Sequence, residues 1–226
     1  AGALPPPAGY FEKIQPVLKK YDILLVADEV ICGFGRTGNM WGCQTYGLEP
    51  DMITCAKALS AAMQPISAVL LNERIFQSVM RQSDKYGAFV HGYTYAGHPV
   101  AAAVALETLR IYEDIGMLDH VRDLEPVFLE TIGALRDHPL VGDFTGVGLI
   151  GGLELVRDKA TKADYPAEIG LGARVDANAR KHGLILRIVG NRIAFSPPLI
   201  ITTDEIAEIG VRLRRALDET YREIKA

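Results

Sequence analysis

The stretch Ile23-Leu24-Leu25-Val26-Ala27-Asp28-Glu29 decides how the chain is read. A short, uninterrupted apolar run suits a strand buried on both faces, as in a parallel sheet. Two acids follow at its carboxyl end, the edge at which open α/β sheets bind ligands. Upstream, Tyr10, Phe11, Ile14, Val17, Leu18 and Tyr21 recur at helical spacing, with Pro16 set against an unbroken helix. Downstream, the turn-rich loop Gly33-Phe34-Gly35-Arg36-Thr37-Gly38-Asn39 leads to short strands expected over 52–55 and 67–71. Helices are expected over 73–82 and 100–114. Beyond about residue 112 the texture changes. A long helix is expected over 117–137, glycine-punctuated strands within 141–156, and a further helix over 169–182. A hairpin over 184–199 turns at Gly190-Asn191, and Thr203-Asp204-Glu205 offers the N-cap of an amphipathic helix reaching Ile224. The chain thus reads as α/β over 1–112 and as a smaller α+β domain over 113–226.

Composition bounds the function. Of 226 residues, 49% are hydrophobic and 23% charged, an ordinary globular balance. The net charge of -4 supplies no basic face for phosphates, which argues against a nucleic-acid partner. The longest apolar run, Val100 to Leu106, falls far short of the ~20 residues a bilayer requires, so no membrane role is expected. Cys32, Cys43 and Cys55 match no zinc or redox spacing, and their odd number gives no disulfide framework. A reducing, cytoplasmic setting is therefore expected. Ala1 to Pro7, with its triple proline and no leader-like segment, reads as an interior loop, and the chain as part of a longer protein.

Several motifs compete for the chemistry. The acidic strand end could be a Walker-B strand, a strand presenting Asp28 to a cofactor, or a pair of solvated acids. No G-x-x-x-x-G-K-[ST] accompanies it. Gly33 to Gly38 matches G-x-G-x-x-G literally, yet no helical periodicity follows and no acid stands about 20 residues beyond, so it reads as a glycine-shaped loop. Lys57 stands among Ala56, Ala58, Leu59, Ala61 and Ala62. Such surroundings are expected to desolvate the amine and make it a nucleophile, against the plainer reading of a lysine snorkelling from a turn. Joined to Asp28, it meets a specific need: a Schiff-base lysine plus an acid for a pyridinium nitrogen is what pyridoxal phosphate chemistry requires. The five histidines form no metal set, and Ser60, Ser67 and Ser196 lack a nucleophile elbow.

Four blocks in order then resemble the class III aminotransferases, fold-type I pyridoxal-phosphate enzymes. They are Ala27 to Gly38, Asp51 to Ser60 with Lys57, His91-Gly92-Tyr93-Thr94-Tyr95-Ala96-Gly97-His98-Pro99, and Ser196-Pro197-Pro198-Leu199. The resemblance covers the whole chain but only the C-terminal portion of the family's sequence. It implies that 1–112 is the C-terminal part of the cofactor-binding large domain, a mostly parallel sheet between helices, and that 113–226 is the small domain. It implies Lys57 as the cofactor-binding lysine, Asp28 as the partner of the pyridine nitrogen, and Val30, on the same strand face, as apolar cover for the ring. Thr94, with the backbone beside Tyr93, resembles the group reaching the cofactor phosphate of a neighbouring subunit, which implies a homodimer with shared sites.

Substrate class rests on the C-terminal hairpin. Ornithine and 4-aminobutyrate aminotransferases carry an arginine just before Pro-Pro-Leu, where this chain has Ala194. Arg187 instead resembles the carboxylate-binding arginine of the amine:pyruvate, or ω-aminotransferase, subgroup. Arg192 is a second candidate, expected to be solvated at the hairpin turn. The activity implied is transamination from an amine or ω-amino acid to a keto acid such as pyruvate. An aminomutase or decarboxylase of the same family, an ATPase fragment and a non-catalytic interaction domain stand as alternatives.

Overall fold

The computed structural model describes residues 2–225 and divides into two compact units. The first is Pro6–Leu118, and the second comprises residues 119–225 with residues 2–5. The division falls within the first turn of a helix rather than at 112, and the amino-terminal residues pack with the second unit, not with the first.

In the first unit, helix α1 (Tyr10–Lys20) runs through Pro16 without a break and precedes strand β1 (Val26–Asp28). β1 is shorter than the apolar run and begins at Val26, leaving Ile23 and Leu24 outside it and exposed. Helix α2 (Gly42–Thr45) is one turn long. Strands β2 (Met52–Cys55) and β3 (Ala68–Leu71) follow, then helices α3 (Glu73–Tyr86) and α4 (Pro99–Asp114). The sheet order is β1-β2-β3, with β1 parallel to β2 and β2 antiparallel to β3. This three-stranded portion therefore holds one parallel and one antiparallel pair.

Asp51 sets the register. One carboxylate oxygen accepts the Leu25 N–H at 2.9 Å and the other accepts Asn72 Nδ2 at 2.8 Å. Asn72 in turn caps α3 by accepting the Ile75 N–H at 3.0 Å, satisfying one of the helix's orphan donors. A single acid thus ties the starts of β1 and β2 to the end of β3.

The second unit is built on an antiparallel sheet of order β4-β5-β7-β6. Its strands are β4 (Val141–Val147), β5 (Ile150–Leu155), β6 (Arg187–Val189) and β7 (Arg192–Phe195). Helices α5 (Met117–Gly133), α6 (Leu171–Lys181) and α7 (Thr203–Lys225) accompany it. Phe128, Phe144 and Phe195 meet edge to face, with ring centres 6.1–6.4 Å apart. The cap of α7 is Thr202, one residue before the expected Thr203: Thr202 Oγ1 accepts the Glu205 N–H at 3.3 Å while Glu205 Oε2 accepts the Thr202 N–H at 2.8 Å. That reciprocal pair is a capping box. Gly210 lets α7 approach α5, since a Cβ there would lie 2.7 Å from Thr131 Cγ2. Among the described residues no helix is long and apolar enough to cross a membrane.

Candidate active site at the carboxyl ends of two parallel strands

Because β1 and β2 are parallel, their carboxyl ends lie side by side, with Asp28 in register with Thr54. Asp28 closes β1, and Lys57 stands two residues beyond the end of β2. The topology therefore brings an acid and an amine to one edge of one sheet, the edge where α/β proteins bind ligands.

Asp28 is exposed and half-engaged. Its Oδ1 accepts the Val30 N–H at 3.1 Å and Thr54 Oγ1 at 3.3 Å. Its Oδ2 has no partner among the described residues, leaving an oriented carboxylate oxygen to receive a proton-bearing group. The Val30 bond is an Asx turn, and it has a consequence for the cofactor cover expected of that residue. The strand stops at Asp28, so Val30 lies in a turn and not on a continuing strand face.

Glu29 points the other way. It is 4% exposed, and its two oxygens accept the N–H groups of Gly42 at 2.8 Å and Cys43 at 2.6 Å, the start of α2. Neighbouring residues of a strand face opposite sides, so adjacent acids at a strand end are divided between solvent and interior. That parity is present in the sequence and could have marked Glu29. Gly42 is obligatory beside it, because a Cβ there would meet Cys32 Cβ at 2.7 Å and Glu29 Oε2 at 3.1 Å. The Gly33–Gly38 loop follows as a glycine-shaped turn, its Gly33 N–H donating to the Glu29 backbone carbonyl at 2.9 Å and Phe34 lying in the core. Within it Arg36 is held down to about 10 by burial. Burial also pushes the Cys32 thiol up, with Glu29 adding to the effect.

Lys57 opens the 3₁₀ turn Lys57–Ser60. Its backbone is left-handed (φ 44°), as are Ala61 (φ 48°) and Ala62 (φ 60°), conformations that cost a non-glycine residue about 1–3 kcal/mol each. Contrary to the expected desolvation, the Lys57 side chain is exposed, while Leu59 and Ser60 take the buried positions of the turn. The neighbouring alanines are too short to cover an ammonium. The turn is fastened from below: Ser60 Oγ donates to the Gln64 carbonyl at 2.7 Å, and Tyr112 Oη on α4 donates to the Ala58 carbonyl at 2.8 Å. Phe34, Cys55, Leu59 and Ala105 form the small core beneath it.

Tyr93 and Thr94 lie in an exposed segment between α3 and α4, with the Tyr93 ring 5.7 Å from that of His91. Arg187, in the second unit, is exposed at the start of β6, directly across the hairpin from Ala194. It lines a groove of about 910 Å³ together with Arg180, Asp176, Leu186 and Asn191. Arg192 is not a solvated turn residue. Its guanidinium is half-buried and donates to the carbonyls of Gly2 at 2.6 Å, Ala3 at 3.1 Å and Gly152 at 3.2 Å. It fastens the amino-terminal strand of chain, which removes it as a carboxylate binder.

A pyridoxal group makes two demands that this edge meets: an oriented carboxylate with an oxygen unpartnered among the described residues, and a lysine presented from a fixed turn beside it. The comparisons agree in direction. Residues 1–217 match the family model described as Aminotransferase class-III. The chain is 46% identical over 99% of its length to "Gamma aminobutyrate transaminase 3, chloroplastic" of Solanum lycopersicum, covering 43% of that protein. It is 48% identical over its whole length to "Probable gamma-aminobutyrate transaminase 3, mitochondrial" of Oryza sativa subsp. japonica, covering 45% of that protein. An omega transaminase from Pseudomonas jessenii in complex with PMP superposes with a TM-score of 0.96 at 46% identity, over 99% of this chain and 49% of that one. The chain thus spans less than half the length of the curated relatives it matches.

Proposed function

The chain belongs to the class III aminotransferase family, and on that premise we propose that it carries the lysine and aspartate of a pyridoxal-phosphate-dependent transaminase. The observation that supports this best is the placement of Asp28 and Lys57 at the adjacent carboxyl ends of β1 and β2, with Asp28 engaged through Oδ1 alone among the described residues. When bound, pyridoxal phosphate supplies an electron sink for a carbanion at the substrate carbon. Asp28 would hold a proton on the pyridine nitrogen through Oδ2, its other oxygen being fixed by Val30 and Thr54. Lys57 would hold the cofactor, and its Nζ, when free, would carry a proton to and from the substrate carbon. Val30 would cover the ring from the turn, and Thr94 and Tyr93 would reach the phosphate of a second subunit in a homodimer.

The donor we assign is an amine or ω-amino acid and the acceptor a keto acid such as pyruvate. Arg187 supports this assignment. It stands across the β6–β7 hairpin from Ala194, so a carboxylate-binding cation is available on one strand where the other lacks it. The names of the relatives, 4-aminobutyrate transaminases, favour a donor of the ω-amino acid kind. The test is borohydride reduction in the presence of pyridoxal phosphate, followed by peptide mapping. The phosphopyridoxyl group is expected on Lys57; its arrival on Lys85 or Lys181 instead would refute the assignment.

A further inference from the structure

We infer that Tyr112 is a positioning residue for Lys57, acting through the carbonyl of Ala58. This role rests on the reading of Lys57 given above and deepens it. Among the described residues, three of the seven non-glycine residues in the left-handed region, Lys57, Ala61 and Ala62, fall within this one turn. A turn so disfavoured persists only where its surroundings over-determine it. Four backbone bonds hold it from within, Leu59 N–H to Ala56 O at 3.0 Å, Ala61 N–H to Ala58 O at 3.2 Å, Ala62 N–H to Lys57 O at 3.0 Å and Met63 N–H to Ser60 O at 2.9 Å, so the Ala58 carbonyl accepts one bond from inside the turn as well as the one from Tyr112. From outside the turn and far along the chain, Tyr112 Oη donates to Ala58 O at 2.8 Å, immediately after Lys57. The ring of Tyr112 packs on the small core of Phe34, Cys55, Leu59 and Ala105, so the hydroxyl is aimed by a packed ring rather than by a free side chain. Burial pushes this phenol above its usual value, which keeps it a donor at neutral pH. The exposed amine of Lys57 has no side-chain partner among the described residues, so its direction is set by the backbone that carries it. A hydroxyl that pins the next carbonyl is therefore what fixes where Nζ can go.

The experiment compares the 226-residue chain with its Tyr112→Phe variant, which keeps the ring and removes only the hydroxyl. Hydrogen exchange is followed on peptides spanning 56–64, and borohydride-trapped pyridoxal phosphate is quantified separately on Lys57, Lys85 and Lys181. Loss of one hydrogen bond should speed exchange of the Leu59, Ala62 and Met63 amides ~5-fold. It should slow labelling of Lys57 ~5-fold while Lys85 and Lys181 label as before. Faster exchange with unchanged Lys57 labelling would make Tyr112 merely structural, and unchanged exchange would show that it does not hold the turn. Either result overturns the inference. No label on Lys57 in the parent chain would overturn the lysine assignment itself and this role with it, a failure distinct from the other two.

Discussion

Asp28 and Glu29 are chemically alike, adjacent in sequence and opposite in setting. Asp28 is exposed with one oxygen uncommitted, whereas Glu29 is buried with both oxygens accepting backbone N–H groups. Carboxylate-to-amide substitutions should therefore separate catalysis from stability. Asp28→Asn should leave the unfolding midpoint nearly unchanged, because exposed sites tolerate such swaps within about 0.5 kcal/mol. It should lower transamination ~10²–10⁴-fold in active protein by removing the charge that retains the pyridine proton. Undiminished turnover would refute the role. Glu29→Gln should do the reverse, since its amide would face the Gly42 or Cys43 N–H with a donor. A destabilisation of about 1–3 kcal/mol is expected in urea titrations. Arg187 supplies a third contrast. Arg187→Ala should slow the keto-acid half-reaction strongly and leave the half-reaction with a carboxylate-free amine almost unchanged, because only the former loses a charge-assisted partner. Equal losses in both would point to a structural role.

At the scale of elements, the setting of His138 predicts a pH-sensitive joint in the second unit. His138, 3% exposed, lies between the end of the α5 region and β4. Its Nδ1 accepts the Leu140 N–H at 3.1 Å, which leaves the ring proton on Nε2, 3.4 Å from Asp218 on α7. Beside it, Arg214 of α7 pairs with Asp137 at 2.6 Å. Burial lowers the His138 pKa below its ordinary 6.5, outweighing Asp218. The unfolded chain consequently binds the proton more readily than the folded one. The stability contributed by neutral His138 is complete above about pH 6.5 and drains away as the pH falls from there towards the folded pKa. Urea midpoints measured between pH 7.5 and 5 should decline through that window and do so less in His138→Gln. Asp137 and Asp143 are held below the usual carboxylate range, so their losses belong to more acidic solutions and do not blur the assignment. A midpoint flat from pH 7.5 to 5 would dispose of the joint.

At the scale of the whole molecule, the two units are unequally cored. Residues 119–225 enclose Phe128, Ile132, Leu153, Leu155, Ile193, Leu213 and Leu217 with almost no exposure, whereas α1 and α3 of the first unit hold no fully buried residue. Every residue of β3 is exposed, Val69 by 61%. Apolar area removed from water contributes ~25 cal/mol per Å², so stability follows this distribution. A polypeptide of residues 119–226 is expected to unfold cooperatively, and one of residues 6–118 to bind hydrophobic dyes and self-associate. Cooperative, dye-silent unfolding of 6–118 would contradict that expectation. In this unit the sheet that carries the candidate site leaves its apolar strand β3 exposed.

What the sequence determined by itself is set by short-range periodicity and local chemistry. The helices over 10–20, 99–114, 171–181 and 203–225, and the strands β2 to β5, follow from spacings that any neighbourhood would read alike. Three of the four motif blocks carry Asp28, Lys57 and Thr94 in the same way, and the hairpin sequence carries Arg187, since identity at a position needs no contact to be seen. The tertiary structure alone decided the rest. Whether Lys57 is covered depends on the length of side chains around it, and alanines do not reach. Whether Arg192 is solvated depends on chain 190 residues away, because its guanidinium holds Gly2 O. Whether Val30 continues the strand depends on Asp28 turning back to accept its N–H. Tyr112 carries no local signal at all: a hydrogen bond to Ala58 spans 54 residues, and only a folded chain brings the two together.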